Sequence, residues 1–119
     1  MSFQRILEEM VAEVDGSIAA LFLDYDGEAV DVAGRNLPKH DLQVIGAYQG
    51  IFLDRVRKIC TTVSHGEPLR FKIDMEGSSF LNTVLKDGYY LVLVLRKGTR
   101  EALAWQHLEN CRSRILVEM

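Results

Sequence analysis

The residues best suited by type to hold a metal ion form a short acidic segment, Asp24-Tyr25-Asp26-Gly27-Glu28. Alternating carboxylates ahead of a glycine are typical of the start of a calcium-binding loop. Such a loop also needs further oxygen ligands and a closing glutamate at fixed spacing, and here the chain continues into an apolar run instead. An Asp-Gly pair between two apolar runs is typical of a β-hairpin, so we predict a turn at this position.

A second candidate for metal chemistry is the pair His107 and Cys111, which lie four residues apart and would share one helix face. No second pair of ligands accompanies them, and Cys111 falls on an apolar stripe, so we interpret both as packing residues. Ser64-His65 and Ser78-Ser79 lack the surroundings of a serine nucleophile. The sequence has no glycine-rich phosphate-binding loop. We therefore predict that the protein is not an enzyme and has no catalytic residue, metal site or cofactor.

The composition is that of an ordinary globular domain: 119 residues, a formal net charge of −3 and 48% hydrophobic residues. This length predicts a single domain over residues 1–119. Lysine and arginine are scattered, which argues against nucleic acid as a partner, and no apolar run of about 20 residues is present to cross a membrane. Cys60 and Cys111 form no CxxC motif and are too few for a disulfide scaffold, so we predict a cytoplasmic protein.

Hydrophobic periodicity and turn residues predict three helices and five strands. The first part of the chain predicts a helix from Phe3 to Val14 with Ser2 as its N-cap, followed by the strands Ser17–Asp24 and Glu28–Ala33. A long helix follows, from Lys39 or Asp41 to Ser64, and then the strands Leu69–Met75, Ser79–Leu85 and Tyr89–Leu95. The last helix has Thr99 as its predicted N-cap, and its predicted buried stripe is Ala104, Leu108, Cys111 and Ile115.

The strands Ser17–Asp24 and Tyr89–Leu95 are apolar on both faces, which is typical of central strands covered on both sides. Hairpin connections then place Glu28–Ala33 at one edge of the sheet and Leu69–Met75 at the other. Helices must cover both faces. The predicted fold class is α+β: a three-layer α/β/α sandwich in the order helix-strand-strand-helix-strand-strand-strand-helix, with a five-stranded, mostly antiparallel sheet.

The long helix carries more apolar surface than one sheet can cover. We predict that its main stripe packs on the sheet; this stripe is Ile45, Tyr48, Phe52, Val56, Ile59 and Val63. A second stripe lies roughly opposite, at about 100° per residue, and consists of Val44, Gly46, Ala47, Gly50 and Ile51. A helical glycine costs about 1 kcal/mol relative to alanine, and close approach of a second helix is one compensation. The alternative is that both glycines are merely tolerated.

The edge strand Leu69–Met75 is regular and contains no proline, so it can pair with another strand. The alternative is that Arg70, Lys72 and Asp74 keep other strands away. Antiparallel pairing with its own copy would give a two-fold dimer with a continuous ten-stranded sheet, and the two long helices would meet on one face. We therefore predict a homodimer whose interface contains Val44, Gly46, Ala47, Gly50, Ile51, Phe71 and Ile73.

Two segments resemble the roadblock domain, the dynein light chain roadblock type. The first is LEEMV at residues 7–11 with VDGSIAALFLDYDG at residues 14–27, which resembles the family's opening helix, apolar strand and acid-x-Asp-Gly hairpin. The second is NTVLKDGYYLVLVL at residues 82–95, which resembles the family's last hairpin. The resemblance covers nearly the whole chain and agrees with the predicted order of elements.

The resemblance implies a homodimer joined at its third strand and a non-catalytic role: an adaptor or regulator that binds a small Ras-like GTPase through paired long helices. Carried onto this chain, the GTPase-facing platform is Gln43, Asp54, Arg57 and Lys58. Two alternatives stay open. One is a structural scaffold subunit of a larger complex. The other is a small-molecule sensor with a pocket inside the core, for which the sequence offers chiefly Gln49, Asn82 and Thr83 as polar residues.

Overall fold

The computed structural model describes residues 2–119, and its eight elements follow the predicted order. They are α1 (Phe3–Glu13), β1 (Ser17–Leu23), β2 (Ala29–Gly34), α2 (Lys39–Thr62), β3 (Arg70–Asp74), β4 (Ser78–Val84), β5 (Tyr90–Arg96) and α3 (Glu101–Glu118). The predicted three-layer α+β class is confirmed. None of the helices within residues 2–119 combines the length and apolar character needed to span a membrane.

The five strands form one antiparallel sheet in the order β2-β1-β5-β4-β3. The two strands that are apolar on both faces, β1 and β5, lie side by side in its centre, with Leu21 opposite Val92 and Phe22 opposite Leu91. The predicted edges are also confirmed, because β2 and β3 are the outermost strands. Because β1 and β5 are apolar on both faces, they occupy the centre of the sheet, where both faces are covered.

Two helices, α1 and α3, cover one face of the sheet. The α1 helix begins behind Ser2, whose Oγ accepts a hydrogen bond from the Arg5 backbone N–H at 3.2 Å. The predicted buried stripe of α3 is confirmed: Ala104, Leu108, Cys111 and Ile115.

The predicted N-cap of α3 is wrong. The helix begins at Glu101, and its N-cap residue is Arg100, which makes no capping side-chain hydrogen bond. The Thr99 hydroxyl instead donates to the Arg96 carbonyl at 2.7 Å, which closes the turn that follows β5. A threonine hydroxyl engaged in the preceding turn is not free to cap the helix.

The α2 helix lies alone on the other face, and Tyr90 of β5 holds it there. The Tyr90 hydroxyl donates to the Gly46 carbonyl at 3.0 Å, and the side chain is only 2% exposed. Burial, with the nearby charges of Asp24 and Asp54, raises the pKa of Tyr90 to about 12. The helix ends at Thr62, two residues before the predicted end, and Ser64 adopts the left-handed conformation (φ 57°) common just after helix ends.

We expect Tyr90→Phe to lower the free energy of unfolding by about 1 kcal/mol, because it removes one buried hydrogen bond. Urea denaturation at pH 7 measures this loss. The control is Tyr25→Phe, since Tyr25 is 67% exposed, and a surface change of this kind stays within about 0.5 kcal/mol. Equal effects of the two changes would contradict the assigned role of the Tyr90 hydroxyl.

The Tyr90 hydroxyl also makes the free energy of unfolding depend on pH. A tyrosine whose pKa is raised from 10.0 to about 12 on folding contributes stability below pH 10 that is lost as the pH rises to about 12. We expect the stability difference between the native sequence and Tyr90→Phe to shrink over this range, as followed by urea denaturation at stepped alkaline pH.

Candidate interaction surface

The α2 helix contacts the sheet through a narrow line of residues: Leu42, Gly46, Gln49 and Leu53. A Cβ atom at Gly46 would lie 2.3 Å from Leu23 Cδ2, and one at Gly50 would lie 2.5 Å from the Tyr90 hydroxyl oxygen. Both distances are too short for a real contact. The glycines therefore let the helix axis lie close to the strands, and side chains of the sheet fill the space.

A buried polar pair fixes the position of α2 along the sheet. Asn82 of β4 donates through Nδ2 to Gln49 Oε1 at 2.9 Å, and each residue is 1% exposed. The Asn82 Oδ1 atom is also buried and has no hydrogen-bond partner within residues 2–119. Sliding the helix would leave both amides unpaired inside the apolar layer, which costs several times more than an exposed hydrogen bond.

The outer side of α2 exposes large apolar side chains, which we call the α2 apolar face. Its members are Val44, Tyr48, Ile51, Phe52 and Ile59 of the helix and Val63, the C-cap residue that follows it, each between 40% and 63% exposed. The last buried residue of the helix is Leu53, so the segment 54–62 has no buried residue at all. A monomeric protein rarely exposes apolar side chains in such a continuous group unless they form an interaction site.

A second apolar area adjoins this helix on the same side of the sheet. Phe71 and Ile73 of β3, with Phe80 and Val84 of β4, are half-buried there. The helix packs mainly across β1 and β2, so the β3 side of this face lacks a covering layer. We call these four residues the β3–β4 apolar face. We call the two faces together the open apolar surface.

The polar residues beside this surface divide into two groups. Gln43, Asp54 and Lys58 are exposed. Arg57 is only 27% exposed, because its guanidinium lies 3.6 Å from Asp54 Oδ1 and 3.5 Å from Glu67 Oε2. Arg57 is therefore held close to its own chain, while the other three residues of the predicted platform remain accessible.

The residues considered for metal or catalytic chemistry have ordinary structural roles. Asp24 Oδ1 accepts the backbone N–H groups of Asp26 at 2.8 Å and Glu28 at 3.1 Å, as the predicted hairpin turn requires. His107 Nδ1 lies 3.4 Å from Glu13 Oε2. Cys111 is buried in the core, where burial raises the pKa of its thiol to about 12. Within residues 2–119, no three histidine, cysteine, aspartate or glutamate side chains are grouped to hold a metal ion.

The polar residues of the core do not line a shared cavity. Gln49 and Asn82 bond to each other on the α2 side, whereas Thr83 points to the other face, where its hydroxyl lies 3.4 Å from Glu109 Oε1. A cleft of about 610 Å³ lies elsewhere, between the end of α1 and the turn before α3. The arrangement expected of a small-molecule sensor, a pocket inside the core lined by these residues, is therefore not found among residues 2–119.

Comparison with known proteins gives matches only at the level of structure. No protein-family model and no curated protein matches the sequence. The crystal structure of a Roadblock/LC7 domain from Streptomyces avermitilis superposes with a TM-score of 0.87 at 13% identity, over 94% of this chain and 92% of that one. The gliding protein MglB from Thermus thermophilus gives a TM-score of 0.84 at 17% identity, over 98% and 90%.

MglC from Myxococcus xanthus matches over the full length of both chains, with 22% identity and a TM-score of 0.70. The chain has the roadblock fold. The resemblance seen in the sequence is thus confirmed at the level of fold. Within the roadblock fold of this chain, the open apolar surface is formed by the long helix and the third strand, the two elements that the sequence predicted to need a partner.

The prediction of which helix face packs on the sheet is wrong. Of the stripe expected there, Tyr48, Phe52, Ile59 and Val63 are exposed, and only Ile45 and Val56 are partly buried. The physical reason is the glycines, since a helix can lie closest to a sheet where its side chains are smallest. The signal available in the sequence was Gln49, a polar residue in line with both glycines, for which Asn82 is the partner.

The predicted role of the glycines in a helix–helix contact is wrong for the same reason. Gly46 is covered by Leu23 and Leu21, and Gly50 by Tyr90, so the chain's own sheet makes the close approach. Val44, Ala47 and Ile51 are exposed, and Phe71 and Ile73 are half-buried. Their part in a dimer interface stays a prediction. Sequence reasoning missed Tyr48, Phe52, Ile59 and Val63 as candidates for that interface.

We expect Gly46→Val to lower the free energy of unfolding by about 1–3 kcal/mol, because the new side chain overlaps the methyl groups of Leu23. Ala47→Val is the matched control, since Ala47 is the exposed neighbour on the same helix. Urea denaturation measures both. If Gly46→Val left stability unchanged and altered only the oligomeric state, the glycine would face a partner after all.

Proposed function

We propose that the protein is a homodimeric adaptor or regulator that performs no chemistry itself and binds a small Ras-like GTPase through its two α2 helices. The observation that carries the proposal is the open apolar surface made by the α2 apolar face and the β3–β4 apolar face. The roadblock fold supports it, since the sequence resemblance implies this role. The related structures include MglB with a tetrameric arrangement, at 16% identity and a TM-score of 0.86.

A second copy of the chain is the occupant that fits this surface. A two-fold axis perpendicular to the sheet at the β3 edge relates each α2 apolar face to the other and each β3 strand to the other. One symmetry operation thus covers both apolar areas, and an isologous contact of this kind closes on itself. The exposed side chains of the segment 54–62 would then pack against the second helix, which would supply the tertiary contacts that this part of α2 lacks.

The two sheet edges differ in a way that favours β3 as the joining strand. At the β2 edge, the Val32 carbonyl accepts a hydrogen bond from the Gln4 side chain of α1 at 2.7 Å. At the β3 edge, no hydrogen bond from within residues 2–119 reaches the outer backbone groups of Arg70, Lys72 and Asp74. Unpaired backbone groups at a straight edge are a template for another strand.

The paired α2 helices would present a rigid, preformed platform bordered by Gln43, Asp54, Arg57 and Lys58. Contact with the switch segments of a GTPase on such a platform would favour one of their arrangements and so shift a population rather than supply a reactive group. The pairing of Arg57 with Asp54 and Glu67 suggests that Gln43 and Lys58 make the direct contacts and that Arg57 holds the helix end in place.

We expect Ile59→Asp to convert the dimer to a monomer at about 10 μM, because it puts a charge at the centre of an apolar contact. Ile59 is 63% exposed in the protomer, so the fold itself should survive, as far-UV circular dichroism would show. Val117→Asp is the control, since Val117 is 82% exposed but lies on α3, on the opposite side of the sheet. Sedimentation velocity measures both; a native chain that is monomeric at this concentration would contradict the proposal.

The GTPase contact is tested with the native dimer and nucleotide-loaded Ras-like GTPases from the same organism. We expect the combined change Gln43→Ala, Arg57→Ala and Lys58→Ala to weaken binding about tenfold or more, as loss of several central contacts does. The matched control, Arg96→Ala with Arg100→Ala and Gln106→Ala, also removes two cationic side chains and one amide, at exposed positions at the end of β5, before α3 and in α3. Binding that survives the first set would refute the platform. A dimer that binds none of the GTPases would support the scaffold alternative instead.

A further inference from the structure

The outer edge of β3 exposes the backbone of three residues. Toward β4, the Leu69 carbonyl accepts from the Val84 N–H at 3.0 Å, and the Met75 N–H donates to the Ser78 carbonyl at 2.9 Å. Hydrogen-bonded residues alternate along an antiparallel strand, so the odd-numbered residues of β3 face β4. The N–H and C=O groups of Arg70, Lys72 and Asp74 therefore point outward.

The side chains of these same residues are fixed on the α3 side of the sheet. The Arg70 guanidinium lies over the Trp105 ring, with its Cζ 5.4 Å from the ring centroid. Lys72 Nζ bonds Glu101 Oε2 at 2.6 Å. Asp74 accepts hydrogen bonds from Lys97 and from the Ser79 hydroxyl. Arg70 thus presents a positive charge at one end of the edge, and Asp74 presents a carboxylate at the other end that is ion-paired with Lys97 and lies 3.7 Å from Lys72 Nζ. None of the three side chains covers the outer backbone.

We infer that β3 pairs with β3 of a second copy in the register that places Arg70 opposite Asp74 of that copy, and that this charge pairing makes the chain select itself as partner. The inference rests on the proposed homodimer and adds its register and its selectivity. With Lys72 on the two-fold axis, all three outward residues find hydrogen-bonding partners. Shifting the strands by two residues leaves Arg70 or Asp74 without a partner inside a strand.

The side-chain pairs across the axis agree with this register. Directly opposite residues of antiparallel strands share one face of the sheet. On the α3 side, Arg70 and Asp74 form two pairs of opposite charge, and the two Lys72 groups meet with their own Glu101 partners beside them. On the α2 side, Phe71 lies opposite Ile73, which continues the β3–β4 apolar face from one copy to the next.

One competing register also pairs opposite charges and has to be separated by the experiment. It places Lys72 opposite Asp74 and Arg70 opposite Glu76. Glu76 lies in the turn that follows β3, so this register has fewer strand hydrogen bonds. In this competing register, mixing an Arg70→Asp chain with an Asp74→Arg chain would leave like charges opposite each other in two of the four pairs, so the mixture would not regain the native affinity.

The test uses two full-length variants, Arg70→Asp and Asp74→Arg. In the inferred register each variant alone faces like charges twice, so we expect its dimer dissociation constant to rise about tenfold or more. Mixing the two variants in equal amounts restores opposite charges at both positions, and the mixture should dimerise about as well as the native chain. Sedimentation equilibrium of each variant and of the mixture measures this, with one variant carrying a fluorescent label.

Two further measurements make the result specific. Arg100→Asp and Asp26→Arg change the net charge equally at exposed positions outside β3, and a mixture of these two should gain nothing over either alone. The doubly exchanged chain, with Arg70→Asp and Asp74→Arg together, should dimerise with itself and fail to exchange subunits with the native chain. Its own contacts to Trp105 and Lys97 are altered as in the single variants, so recovery cannot come from the fold of one chain.

The outcomes separate this inference from the proposed function. If the native chain dimerises but the mixed variants associate no better than each alone, the inferred register is wrong and the homodimer stands. The same holds if the doubly exchanged chain mixes freely with the native one. If the native chain does not dimerise at all, the proposed function fails first. The inferred register is supported if dimerisation recovers only in the mixture of the two variants and this recovery is lost when the salt concentration is raised.

Discussion

The close contact between α2 and the sheet determines most of what this protomer exposes. At Gly46 the side chain of Leu23 occupies the space that a Cβ atom would need, and at Gly50 the Tyr90 hydroxyl does so. The hydroxyl also bonds the Gly46 carbonyl, and Gln49 bonds Asn82 close by. The helix is therefore held through its smallest side chains and two polar contacts. Its larger apolar side chains project away from its own sheet as a consequence.

The two faces of the sheet are stabilised in different ways. On one face, α1 and α3 pack against each other and against the strands, and their apolar stripes are buried within the chain. On the other face a single helix covers the β1 and β2 side, and the β3 side keeps Phe71 and Phe80 half-buried. The first face is complete in one protomer. The second gains a full apolar layer only when another element covers the β3 side, which is the physical basis of the proposed dimer.

The elements of this fold follow from the sequence because local signals agree with one another. The apolar runs of β1 and β5 identify central strands, Asp-Gly pairs identify hairpin turns, and the apolar stripe of α3 appears as predicted. The orientation of α2 does not follow in the same way. Hydrophobicity favours Phe52 and Ile59 for the interior, whereas close packing favours Gly46, and only the three-dimensional fit to Leu23 and Tyr90 decides between them.

The candidate interaction surface could likewise be predicted from the sequence only in part. The edge strand and its alternation of Phe71 and Ile73 with charged residues could be read from the sequence, and so could the need for a partner on the long helix. The side of α2 that meets the partner could not be read from the sequence. The line of α2 that packs on the sheet contains a polar residue, Gln49, which bonds Asn82, whereas an apolar line was expected there. The positions of Arg70, Lys72 and Asp74 over α3 depend on contacts with Trp105, Glu101 and Lys97, which are 23 to 35 residues away in the chain.

The hydrogen bond from Gln4 to the Val32 carbonyl has a consequence for the size of any assembly. In a dimer joined at β3, the two β2 strands become the outer margins of the joined sheet. Each margin then carries an amide from its own first helix across an outward carbonyl, which hinders addition of a third chain. The glutamine at each outer margin thus lowers the tendency of the joined sheet to grow into an open-ended fibre.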